Sequence, residues 1–185
     1  SNNILFKYII ILMSKLTNCI LNKDPSCIPI WFMRQAGRHL PEFREIRSQN
    51  KDFIKLCLNS DLSSEITLQP LKRYNLDAAI IFSDILMVPY GLGQDVKFEK
   101  SKGPILSNFN LDDFLNNDKK KFSLKLNKVY TAINKTRKHL DKTKSLIAFV
   151  GAPWTLAVYM LGLKKNKNEL DFNNIKKKES DLKII

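Results

Sequence analysis

The chain has 185 residues, of which 44% are hydrophobic and 26% charged, and 31 Lys and Arg face 18 Asp and Glu for a formal charge of +13. That is enough chain for one domain with a core, and the balance excludes an intrinsically disordered segment. The three cysteines, Cys19, Cys27 and Cys57, are dispersed and form no Cys-x-x-Cys, which argues against a disulfide framework and for a reducing compartment.

The opening run Ile4 to Met13 is apolar but too short for the ~20 residues a bilayer span needs. Residues 1–12 are read as an extension without function, with a membrane anchor as the weaker alternative, and 13–185 as the structured part. Ser14 is placed to cap a helix running to about Asn22. "IPIWFM" (Ile28 to Met33) fits a buried strand. Glu42 to Asn59 reads as one or two helices, and Leu62 to Tyr74 as another that Pro70 should kink or break. "DAAIIFSD" (Asp77 to Asp84) holds a second strand run. The Gly/Pro-punctuated Pro89 to Leu106 follows, with a minor strand at Val96 to Phe98. Leu124 to Leu140 reads as one long helix with Leu126, Val129, Ile133 and Leu140 on one side. "SLIAFVGAP" (Ser145 to Pro153) holds a third strand run, and Trp154 to Leu161 a helix. The tail from Asp171 is rich in Lys and Asn, and there is no internal repeat.

Strand runs alternating with helices imply βα units and a parallel sheet. In such folds ligands sit at the carboxyl ends of strands. Polar or Gly/Pro residues follow each run at once: Arg34 and Gln35, then Ser83 and Asp84, then Gly151 to Pro153. Arg34, Arg38, Asp84 and the residues after Val150 are therefore expected to converge on one mouth.

Arg34 and Arg38, at i and i+4, would point two guanidinium forks to one side of a helical turn, a geometry suited to two carboxylates. The alternative is a salt-bridged surface with Glu42 and Glu45 as partners. Asp84 is either an N-cap, an arginine partner, or a functional acid kept ionised by the arginines. Tyr159 is by default an interior helix residue whose hydroxyl needs a partner. The lysine runs, rich in neighbouring Asn, read as solvated faces ahead of a nucleic-acid patch, because no aromatics interleave with them. With His39 and His139 the only histidines, no zinc spacing exists. "YGLG" (Tyr90 to Gly93) is not a phosphate loop, and no Gly-x-Ser-x-Gly elbow occurs.

Three stretches, "PIWFMRQAGRHLPEFR" (Pro29 to Arg44), "AAIIFSDILMVPYGLG" (Ala78 to Gly93) and "LIAFVGAPWTLAVYM" (Leu146 to Met160), together resemble the uroporphyrinogen decarboxylase family over about Ser14 to Met160. The resemblance implies a TIM-type (β/α)8 barrel, a cytoplasmic homodimer, no cofactor, and a carboxy-lyase of haem biosynthesis acting on a tetrapyrrole, uroporphyrinogen III. It implies that Arg34 and Arg38 hold substrate carboxylates, with Gln35, Ala36 and Gly37 shaping the loop around them. It also implies that Asp84 faces the pyrrole N–H groups and that Tyr159 lines the same cleft. The chain departs from the family at His39, where a Tyr is usual, and at "LKKNKNELDF" (Leu163 to Phe172), where a short Gly/Ser-rich loop is usual. A full barrel takes ~250 residues, so the chain is expected to hold about the first half of one and to be inactive alone. Two other readings compete: a basic nucleic-acid-binding module, and a related barrel methyltransferase using zinc with a corrinoid or thiol. The scarcity of His and Cys ligands argues against the second.

Overall fold

The computed structural model describes residues 13–23, 26, 28–99, 103–166 and 169–184. The expected extension, residues 1–12, and Cys27 lie outside them. The chain divides into two compact units, the first drawn from Ser1–Lys51, Asn59–Phe82 and Val129–Phe149, the second from Asp52–Leu58, Ser83–Lys128 and Val150–Ile185.

The first unit is built on a parallel strand pair, β1 (Ala78–Ile80) and β4 (Ser145–Ile147), in register Ala78↔Ser145 to Ile80↔Ile147. Both lie inside runs expected to be strands, and their parallel pairing is the βα arrangement the sequence implies. Ala78 and Ala79 are fully buried. Helix α1 (Lys15–Asn22) begins as expected at Ser14, whose Oγ accepts from the Thr17 N–H at 3.2 Å. Helix α2 (Pro41–Gln49) starts on a proline, whose missing N–H costs nothing at a helix's first turn.

Helix α4 (Ser60–Arg73) follows α3 (Phe53–Cys57), which belongs to the second unit, and is capped by Asn59, which accepts from the Asp61 and Leu62 N–H groups. Its buried face is short and polar: Ser60, Ser63, Ser64 and Thr67 among them. Small hydroxyls let a helix approach a sheet closely, but each needs a partner there. Thr67 Oγ1 accepts from the Phe82 N–H at 2.8 Å and donates to the Ser63 carbonyl, while Ser63 Oγ donates to the Phe82 carbonyl at 2.6 Å. The chain leaving β1 is thereby clamped on both backbone groups of Phe82. On α8 (Asn127–His139), buried Thr136 bonds Ser64 at 3.0 Å.

Two expectations are corrected in this unit: the break at Pro70 and the strand at Ile28 to Met33. Helix α4 runs through Pro70 without a break; the residues beyond it extend the helix by less than one turn, so the missing hydrogen bond falls near its end, and the Tyr74 N–H closes on the Pro70 carbonyl at 2.9 Å. Ile28 to Met33 is neither a strand nor buried: Ile28 is 84% exposed, Phe32 61% and Met33 67%. Its link to the sheet is at Ile30, whose N–H donates to Asp77 Oδ2 and whose carbonyl accepts from the Asp77 N–H, both at 2.8 Å. One rung is not a ladder, and no layer among the described residues covers these side chains.

In the second unit, α3 (Phe53–Cys57), capped by Asp52, packs on an antiparallel hairpin of β2 (Val96–Glu99) and β3 (Gly103–Leu106). Phe53 meets Phe98 edge-on, centroids 4.8 Å apart. The strand expected at Val96 to Phe98 is thus present. Helix α5 (Met87–Gly91) lies against α7 (Lys119–Lys125), which follows α6 (Leu111–Leu115). Gly91 makes that approach possible: a Cβ there would fall 2.6 Å from Phe122 Cε2 and 3.1 Å from Leu126 Cδ1. Gly91→Ala is therefore expected to destabilise this unit by about 1–3 kcal/mol through overpacking, read as a lower midpoint in urea; an unchanged midpoint would show that Phe122 yields freely. The single helix expected over Leu124 to Leu140 is two, α7 and α8. Buried Leu126 joins them at φ −97°, ψ 7°, outside the helical region.

Helix α9 (Pro153–Met160), near the expected span, ends where Gly162 takes φ +62°. That left-handed residue lets the Leu163 N–H reach back to the Val158 carbonyl at 2.9 Å. Hairpin β5 (Lys164–Asn166) and β6 (Glu169–Leu170) follows, then α10 (Phe172–Lys177) and α11 (Glu179–Leu182). Val158, Leu161 and Leu163 form a core that Phe109, Leu170, Ile175 and Leu182 cover. Among the described residues no helix is long and apolar enough to cross a membrane.

Candidate functional site

In the first unit the basic loop runs from Met33 to Leu40. It is not the helical turn expected from the i, i+4 spacing: Arg34 lies in a turn, and Gly37 and Arg38 in a bend and a second turn. The loop is pinned at both ends. Gln35 is buried, its Oε1 accepting from the Phe32 N–H at 3.2 Å and its Nε2 donating to the Ala78 carbonyl at 3.0 Å. Leu40, 1% exposed, anchors the far end, where its N–H closes on the Gly37 carbonyl at 3.0 Å. Arg44 Nη1 donates to the carbonyls of Arg38 and His39 at 2.8 and 3.3 Å. His39, standing where the family usually has Tyr, stacks on Tyr74 with centroids 6.3 Å apart. Ala36 and Gly37 are half-buried between these anchors.

Arg34 and Arg38 themselves are exposed, and among the described residues no carboxylate lies within ion-pair distance of either. Glu42, weighed above as their partner, is taken by Arg73 through two bonds of 2.7 and 2.9 Å. That fork, with a backbone hydrogen bond, holds the Glu42 carboxyl below its usual range. Guanidinium groups without an internal acid have the donor geometry that carboxylates and phosphates accept.

One residue that sequence reasoning passed over supports this loop. Asp77 is buried; besides its bond to Ile30, its Oδ1 lies 3.4 Å from Lys15 Nζ. It ties α1 and the Ile28 to Met33 segment to the start of β1. The available signal was an acid directly before an apolar strand run, where a charge is out of place unless partnered.

In the second unit, Asp84 is half-buried just before α5. Its Oδ1 accepts from the Leu86 N–H at 2.8 Å and its carbonyl from the Met87 N–H at 3.1 Å. The capping alternative fails: the cap position of α5 is Leu86, which makes no side-chain cap bond, and Asp84 closes an Asx turn ahead of it. Burial pushes the Asp84 carboxyl above the ordinary range, against the smaller pull of the Leu86 N–H. Tyr159 is a partly exposed residue of α9, not an interior one. Lys164 Nζ sits 4.5 Å from its ring centroid and 3.5 Å from its hydroxyl. Tyr159 lines a cavity of about 920 Å³ whose walls do not include Asp84. Lys164 is the second residue that sequence reasoning missed; the signal was the lysine-rich run in place of a Gly/Ser-rich loop.

A parallel-strand α/β frame carries an exposed arginine pair, with no carboxylate of the described residues in ion-pair distance, on a loop braced against its first strand. The family described as uroporphyrinogen decarboxylase (URO-D) matches residues 12–179, and the chain belongs to that family. It is 45% identical over 165 residues to the uroporphyrinogen decarboxylase of Rickettsia felis, covering 89% of this chain and 47% of that one. It is 47% identical over 150 residues to that of Rickettsia canadensis, covering 81% and 43%. With that of Phenylobacterium zucineum it shares 47% over 141 residues, 76% and 41% of the two chains. The chain thus spans somewhat under half the length of the curated relatives it matches.

Proposed function

We propose that this chain supplies the carboxylate-gripping part of a uroporphyrinogen decarboxylase, built as part of a (β/α)8 barrel and working in the cytoplasm as a homodimer without a cofactor. The observation that carries the reading is the Arg34 and Arg38 pair, held out on a braced loop with no carboxylate of the described chain to neutralise it. A substrate with eight carboxylates on a flexible macrocycle is what such a pair suits. Arg34 and Arg38 bind two of these carboxylates, Gln35 fixes the loop from below, Ala36 and Gly37 leave room above it, Asp84 faces the pyrrole N–H groups and Tyr159 lines the cleft.

The chemistry follows from what decarboxylation needs. When an acetate arm loses CO2, the C–C bonding pair stays on the methylene carbon. Protonating the pyrrole ring first makes a cationic acceptor for that pair. A second proton then converts the exocyclic carbon to a methyl group, and the ring gives up the proton it took. Each of the four acetates thus consumes one proton net and releases one CO2, giving coproporphyrinogen III. Asp84, as carboxylate, stabilises the cationic ring. A guanidinium is a poor acid in water, so Arg34 and Arg38 are assigned to binding first, with Arg34 kept as a candidate acid.

The test is Arg38→Ala in the gene product assayed with uroporphyrinogen III. Losing one charge-assisted contact of about 1.5–3 kcal/mol should raise KM about 10- to 100-fold. The turnover number should stay within about threefold. An unchanged KM would remove the arginine pair from the site.

A further inference from the structure

We propose that, in the cavity beside Tyr159, Lys164 and Lys178 are further cations for a carboxylate carried on an apolar ring. The inference rests on the decarboxylase reading in taking Tyr159 as part of the substrate cleft, and it assigns the lysines, which nothing in that reading uses.

The cavity is preformed. Buried Gln94 donates through Nε2 to the carbonyls of Ser107 and Met160, both at 2.9 Å, and so ties the chain after β3 to the end of α9. Asn174 Nδ2 donates to the Gly162 carbonyl at 3.0 Å and closes another side. The cavity is open to solvent on one side, and its volume, about 920 Å³, falls at the upper end of the range of ~300–1,000 Å³ usual for small-molecule sites. Ile105, Leu106, Phe109 and Met160 give it apolar walls, and Tyr159, Lys164 and Lys178 a cationic, aromatic side. Lys178 is partly neutralised by Asp181 at 3.5 Å. Among the described residues Lys164 has no carboxylate in ion-pair distance; its ammonium rests on the Tyr159 ring. A carboxylate would displace that resting contact at little cost and gain a full charge-assisted bond, while its ring fills the apolar walls. Inorganic phosphate would satisfy the lysines and leave those walls wet, so the walls select the ring-borne acid.

The hairpin that carries Lys164 explains the departure at "LKKNKNELDF". Lys165 points elsewhere, pairing with Glu169 at 3.8 Å, and is absent from the cavity wall. It therefore serves as an equal-charge control.

The experiment titrates the purified chain with coproporphyrin III, a fluorescent ring bearing four carboxylates, at about 0.15 M salt where long-range attraction is screened. Lys164→Gln should weaken binding about tenfold, Lys164→Arg should restore it to within about threefold, and Lys165→Gln should change it less than about twofold. Thermal melts of each variant report folding. No measurable binding by the wild type, equal losses in Lys164→Gln and Lys165→Gln, or competition by inorganic phosphate as strong as by benzoate would overturn the proposal. The two readings fail separately. If Arg38→Ala abolishes porphyrin binding and Lys164→Gln leaves it intact, the cavity site falls and the decarboxylase reading stands. If Lys164→Gln weakens binding while the gene product shows no turnover of uroporphyrinogen III, the cavity site stands and the decarboxylase reading falls.

Discussion

Asp84→Asn should melt at a higher temperature than the wild type at pH 7 and decarboxylate about 10³-fold more slowly. Both effects come from one charge. Burial raises the Asp84 carboxyl's pKa in the folded chain, so the folded state holds that proton more tightly than the unfolded chain does. Stability contributed by the protonated form is complete below the unfolded value of ~3.9 and is lost as pH rises through the folded value. At neutral pH the ionised group opposes folding, and asparagine, which keeps an acceptor for the Leu86 N–H, removes that opposition. The melting gap between the two proteins should therefore be absent below about pH 4 and open above it. In catalysis the same carboxylate is needed as an anion beside the protonated pyrrole. At ~4 Å and an effective dielectric of ~20 the attraction is about 4 kcal/mol, or close to 10³ in rate. The cation, once bound, also favours the ionised form that burial disfavours. Melting curves from pH 3 to 8 and single-turnover rates on the gene product check the two halves. Wild-type rates in Asp84→Asn would end the assigned role, and a melting gap independent of pH would end the assigned cause.

That trade of stability for charge is the kind of local inconsistency a sequence can display. An acid directly after "AAIIFS" conflicts with its surroundings, and the conflict marked it. The parts that depend on local chemistry were legible in the same way. Ser14 announced α1 because a hydroxyl before a helical pattern satisfies an orphan N–H. The runs holding β1 and β4 stood out because unbroken apolar stretches fit strands buried on both faces. Ile28 to Met33 shows the same pattern and is not a strand, because pattern reports only what a segment could bury and the ladder needs a neighbour. Leu126 reads as one more apolar residue of a long helix. Its buried position between α7 and α8 is a packing outcome that helical period does not encode. The arginine spacing suggested a helical turn, but Gln35 between them is drawn inward to β1, and that pull sets the loop. Asp77 and Lys164 escaped notice because their partners, Ile30 with Lys15 and the Tyr159 ring, are fixed only by the fold.

Gln35→Leu tests whether the inward pull places the arginines. Leucine matches glutamine in volume but removes both bonds. The Ala78 carbonyl, on a fully buried residue, loses its side-chain donor; the Phe32 N–H, on an exposed residue, can turn to water. The expected loss is about 1–3 kcal/mol, most of it from the carbonyl. The larger consequence is for binding. Without the strut the loop is still held at Leu40, by Arg44 and through Ile30 on Asp77, but the stretch between Ile30 and Leu40 loses its side-chain tie to β1. Arg34 and Arg38 then sample many positions, and the cost of ordering them falls on substrate binding. KM should rise about as far as in Arg38→Ala, with the turnover number changed less. A positioning residue acts through another, so the effects must not add: in Gln35→Leu with Arg38→Ala, the combined loss of affinity should fall short of the sum by about 0.5–3 kcal/mol. A purely structural role would lower the unfolding midpoint and leave KM alone. Additive losses in KM would mean that Gln35 and Arg38 serve the substrate independently, and the loop would then not be the device that the bond to Ala78 makes it.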